Sequence, residues 1–239
     1  MVARRKLTKK TLKRPDEFIT WGSQAMAYVM SHIGYIVLGV VLIAAIIVAL
    51  FLWRQDQTIR EEMAFTLLGR GINLYQQEET RTEALPIFSE LVNDYSKTTA
   101  GKVALLYRGR SYMLQKDYDN AIMDFDLFLK RSLRSSLLGF LLKKSSQPTL
   151  KVIALNALAH AYWAKEEYQQ SINYFQQLLD SQDEWLKPYA LFNMGMCWEK
   201  LGEKNKAIEA YQESLKEEIP PPWGTAAKTR LKELGGKEE

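Results

Sequence analysis

From Ile33 to Trp53 the chain runs for 21 residues without a charged side chain. Nothing else in the sequence limits its folding choices as strongly. At a rise of about 1.5 Å per residue, a helix of that length spans roughly the 30 Å hydrocarbon layer of a bilayer. A lipid-embedded backbone must satisfy its own hydrogen bonds, which a lone segment can do only as a helix. Tyr35 near one end, with Phe51 and Trp53 near the other, suit the two membrane–water boundaries. The competing reading is a buried core helix, but those are usually shorter. A cleaved signal peptide fits less well. The apolar run exceeds the roughly 7–15 residues of such leaders, and Arg54-Gln55-Asp56-Gln57 follows it where a small-residue cleavage site would stand. The expectation is an uncleaved, single-pass anchor over residues 33–53.

Charge supplies the orientation. The overall net charge is +4, but Arg4, Arg5, Lys6, Lys9, Lys10, Lys13 and Arg14 alone contribute +7. The rest holds 25 basic and 28 acidic side chains, so it is mildly acidic. That argues against nucleic acid as a partner, because binding it would need a basic face on the folded part. Lys and Arg concentrate on the cytoplasmic side of anchors. The N-terminus is therefore expected in the cytoplasm and the large C-terminal part outside it, in the periplasm of a bacterium. Within the tail region 1–32, Phe18, Trp21, Ala25, Met26 and Val29 fall on one helical face. This segment reads either as an amphipathic helix on the membrane surface or as a flexible lead-in. No Gly or Pro occurs from Val40 to Leu68, so the helix is expected to continue past Trp53 as a stalk over 54–62.

From residue 63 to 239 the pattern becomes repetitive. Leu191, Met194, Gly195 and Trp198 are followed by Ala207 and Tyr211; Leu155, Leu158, Ala159 and Tyr162 by Ser171 and Phe175; Leu105, Gly109 and Tyr112 by Ala121 and Phe125. The paired small residues are always twelve apart, and a weaker copy ends in Ala84 and Phe88. Two antiparallel helices approach closely only where small side chains face each other, with large ones filling the flanks. One hairpin cannot bury its apolar face alone, so neighbours must stack. Lys116-Asp117-Tyr118, Glu166-Glu167-Tyr168 and Glu203-Lys204-Asn205 mark the bends. Arg108 stands where a large apolar residue is expected, and Pro86 requires a helix that starts near Thr82.

These residues resemble the tetratricopeptide repeat. The expected fold is all-α: one transmembrane helix, then an α-solenoid of three to four hairpins and a capping helix over Thr225–Leu234. The long interval between the middle copies holds an insertion at 130–147, rich in Leu and flanked by Arg131, Arg134, Lys143 and Lys144. It reads as an extension of the preceding helix or as a lipid- or partner-contacting element.

No catalytic chemistry is evident. His32 and His160 are the only histidines, and neither has a metal-ligand companion at suitable spacing. Ala100-Gly101-Lys102-Val103 lacks the glycine and hydroxyl residue of a phosphate loop. No cofactor or small-molecule substrate is expected. Cys197, the sole cysteine, lies in an apolar pattern and reads as a buried structural thiol. In the repeat family the first helix of each hairpin lines a binding groove. The resemblance thus implies that Arg110, Met113, Asn156, His160, Trp163, Tyr189, Phe192 and Met196 face a protein partner. The competing reading is a groove filled by the insertion or the closing helix. Trp163→Ala and Phe192→Ala are expected to weaken partner capture without unfolding the domain.

The order of basic tail, Arg14-Pro15-Asp16-Glu17-Phe18, one span and repeats containing Tyr95-Ser96-Lys97-Thr98-Thr99-Ala100-Gly101-Lys102-Val103-Ala104 resembles the ancillary Sec-translocon subunit family of bacterial inner-membrane proteins. That resemblance implies a bilayer anchor and, as partners, translocon subunits, periplasmic chaperones or emerging chains. An envelope-assembly or cell-division organiser of the same build is the alternative.

Overall fold

The computed structural model describes residues 25–141, 148–180, 186–216 and 223–236, with side chains described for all of these except 133–141 and 148–149. The basic tail, most of the lead-in and the triple proline 220–222 lie outside the described residues. Contacts divide the chain into two compact units, Met1–Ile59 and Arg60–Glu239.

In the first unit, residues 25–31 are helical, and a turn at His32 leads into α1, Ile33–Gln76. The side chains of its apolar part stand in the open: Leu42 is 55% exposed, Ile47 60% and Phe51 67%. A core helix of a soluble protein would bury such residues. Among the described residues α1 is the one helix long and apolar enough to cross a bilayer, and it is compatible with a single-pass anchor. It continues unbroken through Arg54–Glu62 to Gln76, as the lack of Gly and Pro between Val40 and Leu68 allows.

The second unit is a stack of hairpins. The last part of α1 packs on α2 (Ala84–Asp94) through Gly71, Tyr75 and Phe88, and α3 (Thr99–Leu114) pairs with α4 (Tyr118–Leu141), α5 (Pro148–Ala164) with α6 (Tyr168–Leu179), and α7 (Lys187–Lys200) with α8 (Lys204–Leu215). Helix α9 (Trp223–Glu233) closes the stack on α8. No strand occurs among the described residues.

The twelve-residue rule has a direct geometric cause. A Cβ on Gly109 would come within 2.5 Å of the Phe125 ring, and one on Gly195 within 2.6 Å of Tyr211. Each glycine is the floor on which the aromatic of the returning helix lies. In the first hairpin Gly71 receives Phe88, where a Cβ would meet the ring at 2.7 Å. Its partner Ala84 is thirteen residues on, which explains the off-register copy. In the third hairpin Ala159 replaces glycine, and the Ser171 hydroxyl donates to its carbonyl at 2.8 Å. Cys197 lies above that serine, 3.4 Å from its Oγ, fully buried, and burial pushes the thiol's pKa up.

The bends share one geometry. At the first, Lys116 N–H donates to the Met113 carbonyl and Asp117 N–H to that of Tyr112. Glu166 and Glu167 repeat this on Trp163 and Tyr162, Gly202 and Glu203 on Glu199 and Trp198, and Gly235 and Gly236 on Lys232 and Leu231. This is the Schellman cap, which needs one residue in the left-handed region. Lys116 (φ 61°), Glu166 (φ 64°), Gly202 (φ 77°) and Gly235 (φ 74°) take that conformation. The third bend therefore centres on Gly202-Glu203, with Lys204 already helical, slightly earlier than the sequence spacing suggests.

Local chemistry fixes the remaining joints. Thr80 Oγ1 and Arg81 Nε donate to the Leu74 and Tyr75 carbonyls at 3.0 Å each, ending α1. Pro86 sits in the first turn of α2, where its missing N–H has no helical partner to lose. Thr98 caps α3 by accepting from Gly101 N–H at 2.9 Å, and Thr99 N–H donates to Glu61 of α1 at 2.7 Å. Gly101 lies against the Tyr95 carbonyl, leaving no room for a Cβ. The conspicuous Tyr95–Ala104 segment is thus a tight interhairpin joint. Arg108, the misfit of the pattern, forks onto buried Asp124 at 2.7 and 2.6 Å. Helix α4 runs to Leu141, so the first part of the 130–147 insertion extends that helix. Lys143 and Lys144 lie outside the described residues.

Candidate functional site: the first-helix groove

Helical periodicity brings the first helices α1, α3 and α5 to a common face, and there an open pocket of about 430 Å³ forms. Its walls are Tyr75 from α1, Arg110, Met113 and Leu114 from α3, and Ile153, Asn156, Ala157 and His160 from α5, with Phe125 beneath. Of the eight residues mapped from the resemblance, Arg110, Met113, Asn156 and His160 meet in this pocket. Sequence reasoning did not select Tyr75, Leu114, Ile153 or Ala157. Tyr75 follows the Gly71 floor by four, as Met113 follows Gly109, so the off-register first copy hid the one positional signal available.

Electrostatics at the pocket are one-sided. Arg110 and Arg81 both lie near the Tyr75 phenol and oppose the rise in its pKa that burial causes. The Arg81 guanidinium stands 5.6 Å from the Tyr75 ring centre. Arg110 is exposed, and no carboxylate pairs with it among the described residues. On the opposite wall, His160 Nε2 and the Tyr189 hydroxyl share a hydrogen bond of 2.6 Å. The His160 ring also meets Phe175 edge-on at 5.5 Å. Burial lowers the imidazole pKa, favouring the neutral ring. Burial raises the Tyr189 phenol, while hydrogen bonds from Asn156 and Asn193 pull it down. Asn156 Oδ1 and Trp163 Nε1 are buried without hydrogen-bond partners. Trp163 packs edge-on against Tyr168 at 6.4 Å, half-buried against the core of the third and fourth hairpins.

The far end of the same face is filled by the chain itself. Phe192 is 6% exposed, tilted against Tyr211 at 5.7 Å, and shares a core with Ala227 and Leu231 of α9. Met196 packs on that core too. Trp223, the first residue of α9, meets Tyr189 edge-on at 5.4 Å. Phe192 is therefore a core residue rather than an open groove position, and its removal should cost stability. Among the described residues, the open pocket lies on α1, α3 and α5. Among the described residues no cluster of three His, Cys, Asp or Glu side chains could hold a metal.

A stack of close-packed hairpins presenting first helices to one face is the architecture of a protein-interaction scaffold. Comparison with known families agrees: residues 103–132 and 156–221 match tetratricopeptide repeat models, and the chain carries tetratricopeptide repeats. No curated protein matches it. Among solved structures, a putative kinesin light chain from Podospora anserina with nearly identical tetratricopeptide-like repeats is similar at TM-score 0.53 and 14% identity, over 75% of this chain and 85% of that one. A MamA RS-1 double mutant is similar at TM-score 0.49 and 17% identity, over 74% and 94%. At these identities the likeness concerns the fold.

Proposed function

We propose that the protein is a membrane-anchored interaction scaffold, its repeats periplasmic, serving the secretion translocon of a bacterial inner membrane. On this reading residues 1–32 are the cytoplasmic tail, 33–53 the span, 54–62 the stalk and 63–239 the repeat domain. The observation behind it is a pairing within one chain: a helix whose apolar surface is left open, and repeats with an open first-helix pocket. The basic tail supports an N-terminus in the cytoplasm. Tetratricopeptide repeats bind proteins, and emerging chains or chaperones are the partners this placement would supply.

The test is site-specific photocrosslinking in native membranes from Met113, a pocket wall. Adducts to channel subunits, chaperones or translocating chains support the proposal. Adducts confined to cell-wall or division proteins would transfer the scaffold to envelope organisation. Extraction of the protein by alkaline carbonate, or cytosolic activity of a reporter fused after Glu239, would remove the anchored, outward-facing arrangement.

A further inference from the structure

We infer that His160 is an acid-sensitive latch: on gaining a proton, its ring leaves the Tyr189 hydroxyl for the open pocket and frees the first turn of α9 at Trp223. This regulation goes beyond the scaffold reading and does not depend on it. His160 Nε2 and the Tyr189 hydroxyl lie 2.6 Å apart, and the Tyr189 ring meets Trp223 edge-on at 5.4 Å. Phe175 packs at right angles to both His160 and Tyr189, at 5.5 and 6.5 Å. A row of rings thus runs from the pocket wall to the closing helix. Its hydrogen bond depends on a neutral imidazole. The Tyr189 oxygen accepts from the Asn156 and Asn193 amides, which leaves its own hydrogen for Nε2. A protonated Nε2 carries a hydrogen itself and accepts nothing. The phenol has a second acceptor to turn to: Asn156 Oδ1, on the amide that already touches it, is buried without a hydrogen-bond partner. The groups around the ring are Arg110 from α3, Tyr75 from α1 and Phe125 from α4 in the shared pocket, Phe175 from α6 and Tyr189 from α7; none is a carboxylate. Arg110 repels a second cation and only pocket water can solvate one, so the charged ring is driven outward. Ala227 and Leu231 stay buried in the core with Phe192 and Tyr211, which confines the release to the Trp223 end.

The experiment uses the full chain in nanodiscs, with 5-fluorotryptophan in place of tryptophan, followed by NMR. The Trp223 fluorine signal is assigned by its loss in Trp223→Phe, and the His160 ring signal by its loss in His160→Gln. Between pH 7.5 and 5.0 the Trp223 signal should move with the same midpoint as the His160 ring. That midpoint should fall below the ordinary imidazole value of about 6.5, because burial favours the neutral ring. His160→Gln should hold the Trp223 signal still across the range. Tyr189→Phe keeps a ring against Trp223 but lacks the hydroxyl; there His160 should titrate while Trp223 does not respond. Glu213, the acid paired with Lys187 near the start of α7, has its pKa lowered by Lys216 and stays ionised throughout. In the wild-type protein, a Trp223 signal fixed down to pH 5.0, or one moving with a midpoint other than that of His160, overturns the inference. So does an unaltered Trp223 titration in His160→Gln. None of these results touches the scaffold reading, which stands or falls with the Met113 adducts.

Discussion

At the scale of single residues, two polar side chains answer for more than their number suggests. Arg108 broke the apolar pattern because its partner, Asp124, lies sixteen positions on and fully buried. The hydrogen bonds and the charge of Asp124 raise the Arg108 pKa against its burial. Taking away one member of a buried pair strands the other charge, at a cost of about 3–5 kcal/mol. Asp124→Ala should show that loss in urea unfolding, whereas the double variant Arg108→Leu/Asp124→Leu should recover most of it. A smaller defect in the single variant than in the double would mean that the fork is incidental. His160 gives a pH signature. Its folded pKa is depressed by burial, so as pH falls below about 6.5 the unfolded chain gains a proton that the folded chain does not. Stability should therefore decline on acidification from pH 7.5 to 5.5, and His160→Gln should decline less. Among the described residues, Arg110 is the charged group that shares the pocket of this ring, and the neutral Tyr189 phenol is its direct partner. Parallel decline of both proteins would assign the effect to carboxylates elsewhere.

At the scale of helices and their junctions, the sequence was most readable where packing demands a missing side chain. Gly109 and Gly195 announced their hairpins because only glycine lets Phe125 and Tyr211 lie on the facing helix. The bends were readable as bends but not as caps. Lys116 and Glu166 hold left-handed backbone with no glycine to signal it. A non-glycine residue there costs about 1–2 kcal/mol, partly offset because glycine loses roughly 0.5–1 kcal/mol more chain entropy on folding. Lys116→Gly and Glu166→Gly should each raise the unfolding free energy by up to about 1 kcal/mol, read as a higher urea midpoint. Gly202→Ala should lower it by a similar amount. Midpoints moving the other way would show that the caps are not under strain. Phe192 was misplaced for a different reason: position in a first helix predicts a face, but not what another helix lays over it.

At the scale of the whole repeat unit, each hairpin touches mainly its neighbours, so damage should stay local. Phe192→Ala removes a buried ring shared by α7, α8 and α9 and should cost about 3–5 kcal/mol. Hydrogen exchange should accelerate in α7–α9 while amides of α2 and α3 keep wild-type protection. Uniform acceleration would mean that the stack unfolds as one cooperative body.

Helix α9 has one more consequence. Ala227 and Leu231 already sit on the flank where a fifth hairpin would dock, so the array has a terminus rather than a growing end. Extra modules grafted after Leu215 would have to displace α9 from the last hairpin. The length of the stack is set at that end by a helix already folded over its last hairpin.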